Sequence, residues 1–263
     1  MIFKPILLLF ITNLAFSWPI FVFLKAPFFI PTIAALLVFD IYLCFFYPNR
    51  VLKFFDLQHF APNDAWKVTP LFEELKKTSS LNVHIYKTKN PFPLSFCFGS
   101  PKSYHIVLSE DLLETFSNED LRDLLTYYFV SCSQKGRFSL TLLSGILHSM
   151  DRFFWVLTFP FKGFKPRSLN SVLIGFLFFF KWFTRSLFFK WDTFAKTKIE
   201  KKRWAFFVWK IDSLYQLEKR DFPIALAPLC LTNPLTNLKG ECYIALQPKV
   251  RLRVEKLIDS YPP

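Results

Sequence analysis

Two long apolar runs open this chain, and they restrict its fold more than any other feature. Residues 6–24 are almost continuously apolar, and residues 28–47 are interrupted only by Asp40. Each run approaches the ~20 residues that an α-helix needs to cross the ~30 Å hydrocarbon core of a bilayer. No small-x-small cleavage site follows the first run, and the second begins a few residues later. We therefore predict a membrane hairpin rather than a removable signal peptide.

A second hydrophobic pair lies further along the chain. Residues 171–189 are strongly apolar but include Lys181 and Arg185, whereas residues 138–161 form a weaker run. The weaker run has three polar groups near its middle: His148, Asp151 and Arg152. Charged groups inside a span usually face a bundle interior, a wet cavity or one another. We predict four spans, with two spans plus an amphipathic pair as the alternative.

Composition supports a membrane protein over a nucleic-acid-binding one. Hydrophobic residues make up 52% of the 263 residues, and the formal net charge is +13. A basic chain with spanning segments most simply carries its charge on the cytoplasmic flanks of those segments. We therefore predict no nucleic-acid partner. The predicted partner is the lipid bilayer, including its anionic lipids.

Basic residues also predict the orientation. A set of them flanks the predicted soluble parts: Lys4, Arg50, Lys53, Lys135, Arg137 and the basic residues of the run 196–203. Lys162, Lys165 and Arg167 would lie on the opposite side and oppose this orientation. Since the larger set outweighs the smaller, we predict an integral protein of a bacterial inner membrane with its soluble part in the cytoplasm. The five cysteines have no C-x-x-C spacing, which indicates neither a disulfide framework nor a zinc knuckle.

The soluble part begins after the first hairpin and resumes after the second hydrophobic pair. Residues 82–87 alternate as a half-buried strand does, and 96–98 and 105–108 predict two further strands around a turn at 99–102. We divide the chain into a hairpin (1–50), a first soluble part (51–137), a second hydrophobic pair (138–190) and a C-terminal helical part (191–263).

The clearest helix begins after Ser117. Ser117 is a favourable N-cap, and Asp120 three residues later predicts a capping-box start. Apolar residues then recur with helical spacing, which predicts one buried face: Leu121, Leu124, Leu125, Tyr128, Phe129 and Cys132. Tyr127 and Ser131 lie one turn apart on a neighbouring face.

These segments together resemble the HtpX-type membrane zinc metallopeptidases. The resemblance rests on Pro93-Leu-Ser-Phe-Cys-Phe-Gly99, His105-Ile-Val-Leu108, Leu112-Leu113-Glu114 and Asn118-Glu-Asp-Leu-Arg-Asp-Leu-Leu-Thr126. The ending Gln247-Pro248, Arg253 and Leu257 is similar to the family's closing motif. The order of membrane hairpin, catalytic helix, second hydrophobic pair and C-terminal helices also matches. The resemblance implies an α+β fold: multi-pass α-helical anchors carrying a small zincin-like domain around an amphipathic former active-site helix.

The chemistry of that family is missing at the matching positions. Its His-Glu-x-x-His motif would fall on Tyr127, Tyr128 and Ser131, where zinc hydrolysis needs two imidazoles one turn apart and a carboxylate base. A phenol and an alcohol are poor zinc ligands, and a tyrosine of ordinary pKa is a poor base near neutrality. The family's third ligand, a glutamate, aligns with Lys202. The resemblance therefore implies a degenerate member without catalytic residues or a metal cofactor.

We predict a membrane-bound pseudoprotease that binds membrane-protein or peptide segments, or serves as a partner subunit, without hydrolysis. Candidate residues of the retained substrate cleft are Phe96, Phe98, Tyr127, Tyr128 and Ser131. One alternative is an active zinc endopeptidase with relocated ligands, for which Glu200, His84 and His105 are the candidates. Another is a structural membrane protein unrelated to proteases.

Overall fold

The computed structural model describes residues 38, 42, 47–49, 51–53, 55, 57–60, 68–89, 94–134, 136–158, 181, 184–217, 224–232 and 247–258. The chain divides into two compact units, Met1–Val51 and Leu52–Pro263. The second unit is α+β and contains the sheet and the helices discussed below. The chain runs through it in the order β1 (Gln58–His59), α1 (Val68–Lys77), β2 (Val83–Thr88), β3 (Ser95–Ser100), β4 (Ser103–Ser109), α2 (Glu110–Thr115), α3 (Asn118–Ser133), α4 (Gly136–Thr158), α5 (184–195), α6 (Lys201–Leu217), a 3₁₀ helix (Ile224–Leu229) and α7 (Val250–Ile258).

A four-stranded sheet in the order β1-β2-β4-β3 forms one layer of this unit. β2 and β4 pair in parallel, whereas β1 and β3 each pair antiparallel with their neighbour. The β3–β4 turn requires Gly99, whose φ is +145° and whose added Cβ would lie 2.4 Å from the Ser103 carbonyl oxygen. β3 is buried along almost its whole length, because α4 and the 3₁₀ helix pack against it. The core lies between this strand and the helices.

The predicted strands and the capped helix are present. The three strands predicted at 82–87, 96–98 and 105–108 correspond to β2, β3 and β4. The Ser117 side chain accepts from the Asp120 backbone N–H, and the Asp120 carboxylate accepts from the Ser117 N–H, so the capping box that begins α3 is complete. Strand alternation and the capping box predict these elements correctly because both patterns depend on residues that are close in the sequence.

The predicted membrane segments fall largely outside the described residues. The runs 6–24 and 28–47 contain only residues 38, 42 and 47 of the described set, and 171–189 contains only 181 and 184–189. The weaker run 138–161 overlaps α4. Within the described parts of the chain, no helix combines the length and the apolar character needed to cross a bilayer.

Candidate functional site

Helix α3 carries the predicted former active-site positions, and it is buried on more than one face. Six residues form the predicted apolar face, and all six are buried: Leu121, Leu124, Leu125, Tyr128, Phe129 and Cys132. Tyr127 and Ser131, on the neighbouring face, are also fully buried. α6 covers that second face, held by Arg203 Nε donating to Asp123 Oδ2 at 2.6 Å and Lys210 Nζ donating to Asp120 Oδ2 at 2.7 Å. The former active-site face is therefore an interior surface.

The guanidinium of Arg137 lies against all three positions where the His-Glu-x-x-His motif would fall. Its Nε donates to the Ser131 hydroxyl at 2.8 Å, and its Nη1 donates to the Leu229 carbonyl at 2.9 Å. Its Cζ lies 5.7 Å from the Tyr127 ring centroid and 5.1 Å from that of Tyr128. A third ring, Trp191, lies 4.6 Å away. Arg137 is fully buried, so a fixed positive charge occupies this interior surface among aromatic faces that attract it.

Two tryptophans enclose Tyr127. Its ring stacks on Trp204 of α6 at 4.9 Å between centroids, with 24° between the planes. Trp191 of α5 meets it edge-on at 6.4 Å. Burial raises the pKa of the Tyr127 phenol above its ordinary range, and the nearby Arg253 and Arg137 charges only partly oppose this. Tyr127 is therefore a neutral core aromatic at physiological pH.

A second buried arginine, Arg253 of α7, has its Cζ 6.0 Å from the Tyr127 ring centroid. Its Nε and Nη2 donate to the two carboxylate oxygens of Asp192, each at 2.7 Å, in a bidentate pair. Its Nη1 donates to the Leu231 carbonyl at 2.7 Å. Asp192 also accepts from Trp204 Nε1 at 3.2 Å, so the ion pair and the aromatic stack share one carboxylate. Gln247 adds two bonds nearby, from its Nε2 to the Ala227 and Cys230 carbonyls at 2.8 and 2.9 Å.

Tyr128, at the position of the family's general base, cannot supply one. Its hydroxyl donates to Ser95 Oγ of β3 at 3.0 Å. Burial raises its pKa well above the ordinary value, despite the neighbouring Arg137 charge. Proton abstraction near neutrality requires a group whose pKa lies close to the working pH. Tyr128 therefore bonds α3 to the sheet, and burial disfavours the ionised form of its phenol.

The predicted cleft residues are buried, but the structure does not bring them to one face of the sheet. Ser95 and Cys97 of β3 contact α3, through Tyr128 at 3.0 Å and Cys132 at 3.4 Å. Alternate residues of a strand point to opposite faces, so Phe96 and Phe98 point away from α3, and their rings stack on one another at 5.8 Å between centroids. Both are fully buried, as are Tyr127, Tyr128 and Ser131. A peptide would reach these residues only after the surrounding elements had separated.

The predicted third-ligand residue, Lys202, does not face Tyr127. Lys202 is exposed on α6, whereas Trp204 on the same helix stacks on Tyr127. Residues two apart in a helix point in nearly opposite directions, so Lys202 and Trp204 cannot share one face. Glu200 is likewise exposed, immediately before α6 begins.

The two candidate histidines do meet, on the sheet. His84 and His105 are paired in register on the parallel strands β2 and β4, and their rings stack at 5.5 Å. Phe98 stacks on the other side of His105 at 5.1 Å. Burial, with a smaller contribution from His84, lowers the pKa of His105 to about 4. Both imidazoles are therefore neutral near pH 7, since burial also lowers the pKa of His84.

The residues at the positions that the resemblance assigns to the two histidine ligands do not fit zinc. Zinc favours imidazole, thiolate and carboxylate ligands, whereas these positions hold the Tyr127 phenol and the Ser131 hydroxyl, which already accepts from Arg137. A fixed guanidinium beside them also opposes a second cation. Across the described ranges, no three His, Cys, Asp or Glu side chains group closely enough to hold a metal ion.

Four residues that organise this site were not selected from the sequence: Arg137, Trp191, Asp192 and Trp204. Arg137 was counted among the basic flanks that predict orientation, but its complete burial shows that it is a core residue and not a surface charge. A weak signal was present, because Gly136 immediately precedes it. A Cβ at Gly136 would lie 2.7 Å from Trp191 Cζ2, so the glycine marks a close helix contact.

Comparisons with known proteins bear on the fold. The structure is similar to the crystal structure of S. mikatae Ste24p, with a TM-score of 0.50 and 15% sequence identity. The chain shares that protein's fold. The match covers 97% of this chain and 63% of that one, so this chain spans less than two thirds of Ste24p. No protein-family model and no curated protein sequence matches.

The shared fold supports part of the sequence interpretation. The α+β architecture with a small sheet, similar to that of Ste24p, agrees with it. The narrower HtpX-type assignment and the degenerate status of the site stay predictions.

Proposed function

We propose that this chain is a non-hydrolytic, membrane-bound relative of the zinc metallopeptidases that acts as a partner subunit. The observation that carries the proposal is the Arg137 guanidinium, which is bonded to Ser131 and packed on Tyr127 and Tyr128. The guanidinium is a fixed internal cation at the positions where the resemblance implies a metal site. The predicted bacterial inner-membrane location, with the soluble part in the cytoplasm, belongs to the same proposal.

The partner-subunit role is favoured over peptide binding in the former cleft. All five predicted cleft residues are fully buried. Trp204 of α6 covers Tyr127, and α4 and the 3₁₀ helix pack against β3. A substrate groove normally presents polar and apolar groups to solvent before its ligand arrives. Here the cleft residues are packed in the interior, while the outer surface of the fold is retained. A subunit needs only that outer surface to dock against membrane-protein clients or a partner enzyme.

The active-enzyme alternative lacks an assembled site. His84 and His105 meet, but Glu200 does not complete a metal-binding group with them in the described part of the chain. Zinc as a cofactor belongs to that alternative alone. Its ligand set would have to include side chains that this geometry does not bring together.

Elemental analysis of the purified full-length chain tests the proposal. After purification in detergent with zinc supplied during growth, we expect far less than one zinc per chain. We also expect no chelator-sensitive cleavage of an unfolded membrane-protein substrate. Stoichiometric zinc with chelator-sensitive cleavage would overturn the proposal. Parallel Glu200→Ala and His105→Ala variants would then show whether these residues bind the metal.

A further inference from the structure

Helix α6 has an outward aromatic stripe, which we define as Lys202, Phe206 and Trp209. These residues are spaced i, i+4 and i+7 and therefore share one face. Phe206 is 62% exposed and Trp209 is 55% exposed, with their ring centroids 6.0 Å apart. Two large aromatic rings side by side on a surface mark an interaction site more often than a lone exposed residue does.

The core does not account for this stripe. The opposite face of α6 already supplies the core with Trp204, Phe207, Val208, Ile211 and Tyr215, each almost fully buried. α6 is thus apolar on both faces, and its outer aromatic pair contributes nothing to the packing around Tyr127. The stripe is available to a partner outside this unit.

Charge distinguishes between partners. The segment 196–203 leading into α6 holds five basic residues and one acidic residue. Arg203 is committed to Asp123 and Glu119 of α3, at 2.6 and 3.2 Å. Lys202 is exposed one helical turn before Phe206, and Lys198 is exposed in the turn that precedes α6. Basic side chains flanking exposed Trp and Phe on one helix face are typical of helices that lie in the headgroup region of anionic bilayers.

Chain connectivity points to the same partner. The predicted span 171–189 ends only 13 residues before Lys202, and α5 occupies the first half of that interval. A helix rises 1.5 Å per residue and an extended chain at most ~3.6 Å, so the stripe begins within roughly 35 Å along the chain of the predicted membrane boundary. Tryptophans are enriched at that boundary because their rings are amphipathic.

From these observations we infer that the stripe of α6 docks on the anionic leaflet of a bilayer. Phe206 and Trp209 enter the interfacial region, and Lys198 and Lys202 contact acidic headgroups. This interaction goes beyond the proposed function and is independent of whether the chain hydrolyses peptides.

Lipid quenching of Trp209 tests the inference in the full-length chain. The protein is reconstituted in phosphatidylcholine vesicles with or without one third phosphatidylglycerol, using plain or acyl-brominated lipids. The Trp209 signal is the wild-type fluorescence minus that of Trp209→Phe, which separates it from the other tryptophans. We expect bromination to remove about half of this difference signal in the anionic vesicles, and much less in the zwitterionic ones.

Charge variants supply the matched control. Lys198→Gln with Lys202→Gln is expected to reduce Trp209 quenching in anionic vesicles to the zwitterionic level. Lys77→Gln with Lys102→Gln, which alters exposed lysines elsewhere, is expected to leave it unchanged. Equal quenching in both lipid compositions, or none in either, would overturn the inference. No quenching in either would show that the stripe faces water or a protein. Zinc content and proteolysis do not enter this readout, so its failure is distinct from failure of the proposed function.

Discussion

At the scale of single residues, Arg137 distinguishes this site from a metal centre. Its two hydrogen-bond acceptors, Ser131 Oγ and the Leu229 carbonyl, are neutral, and three aromatic rings surround the guanidinium. Burying a charge is costly unless hydrogen bonds and favourable electrostatics compensate. The planar fork of arginine allows both bonds and the ring contacts at once, which a compact ammonium cannot provide.

Arg137→Lys is therefore expected to destabilise the protein although it conserves charge. Losing one of the two bonds leaves a buried acceptor unsatisfied, and we expect a loss of about 1–3 kcal/mol in the free energy of unfolding. Ser131→Ala removes one neutral partner and is expected to cost about 0.5–1.5 kcal/mol. Chemical denaturation in detergent, followed by circular dichroism, measures both. Wild-type stability of Arg137→Lys would show that the guanidinium geometry is unimportant.

His105 predicts an acid-dependent stability. Its folded-state pKa is about 4, below the ~6.5 of an exposed imidazole, because burial disfavours the charged form. The unfolded chain therefore takes up a proton first as the pH falls. The stability contributed by the neutral imidazole is complete above about pH 6.5 and is lost progressively towards about pH 4.

The His105→Phe variant tests this directly. Its melting temperature is expected to fall less than that of the wild type between about pH 7 and about pH 4.5. The difference will be partial, since the pKa of His84 is lowered in the same direction and His84 remains. An unchanged pH dependence in His105→Phe would show that other groups cause the acid sensitivity.

At the scale of elements, the contact between α4 and α5 depends on a missing side chain. An added Cβ at Gly136 would lie 2.7 Å from Trp191 Cζ2 and 3.1 Å from a Leu187 methyl. Trp191 is fully buried and carries the Arg137 guanidinium on its ring, so it has little room to move. The close helix approach thereby sets the position of the guanidinium.

Gly136→Ala is expected to lower stability by about 1–3 kcal/mol, although alanine is the better helix former. Ser133→Ala, an exposed site three residues earlier, is the control and is expected to change stability by less than about 0.5 kcal/mol. Thermal unfolding monitored by tryptophan fluorescence would report both the stability and the Trp191 environment. A stabilised Gly136→Ala would contradict the close-packing argument.

At the scale of the whole molecule, the Arg253–Asp192 pair joins distant parts of the chain. It connects α7 to α5, and through Trp204 it connects both to α6. Arg253 is 1% exposed and Asp192 is 3% exposed. Breaking a buried pair leaves an uncompensated charge, which costs more than the intact pair contributes.

Arg253→Met and Asp192→Asn are each expected to cost about 3–5 kcal/mol, and the double variant less than the sum of the two. Arg251→Met provides a control two residues away on α7, since its pair with Glu255 is exposed and such pairs contribute about 0–1 kcal/mol. Denaturant titrations of the four variants measure these differences. Additive losses in the double variant would show that the two residues do not stabilise the fold as a pair.

Local signals in the sequence were sufficient for several elements. The capping box of Ser117 and Asp120 and the alternation in β2 depend on neighbours within a few residues, and both are present. The meeting of His84 with His105 also followed from the predicted strands. Two features could not be predicted in this way: the burial of Arg137, and the contact of Tyr127 with Trp204 and not with Lys202. Each depends on residues more than 70 positions apart in the sequence, since Arg137 bonds to Leu229 and Tyr127 stacks on Trp204.

The sequence by itself determined that this is an apolar, basic chain, and its family resemblance predicts that Tyr127, Tyr128 and Ser131 stand at the positions of zinc ligands and a base. Residue type decides ligand chemistry, so that prediction could be made without the fold. Only the tertiary structure decided what fills the space. Packing of α4, α5, α6 and α7 around α3 brings two guanidiniums and two indoles to Tyr127, and such long-range contacts leave no periodic signal in the sequence.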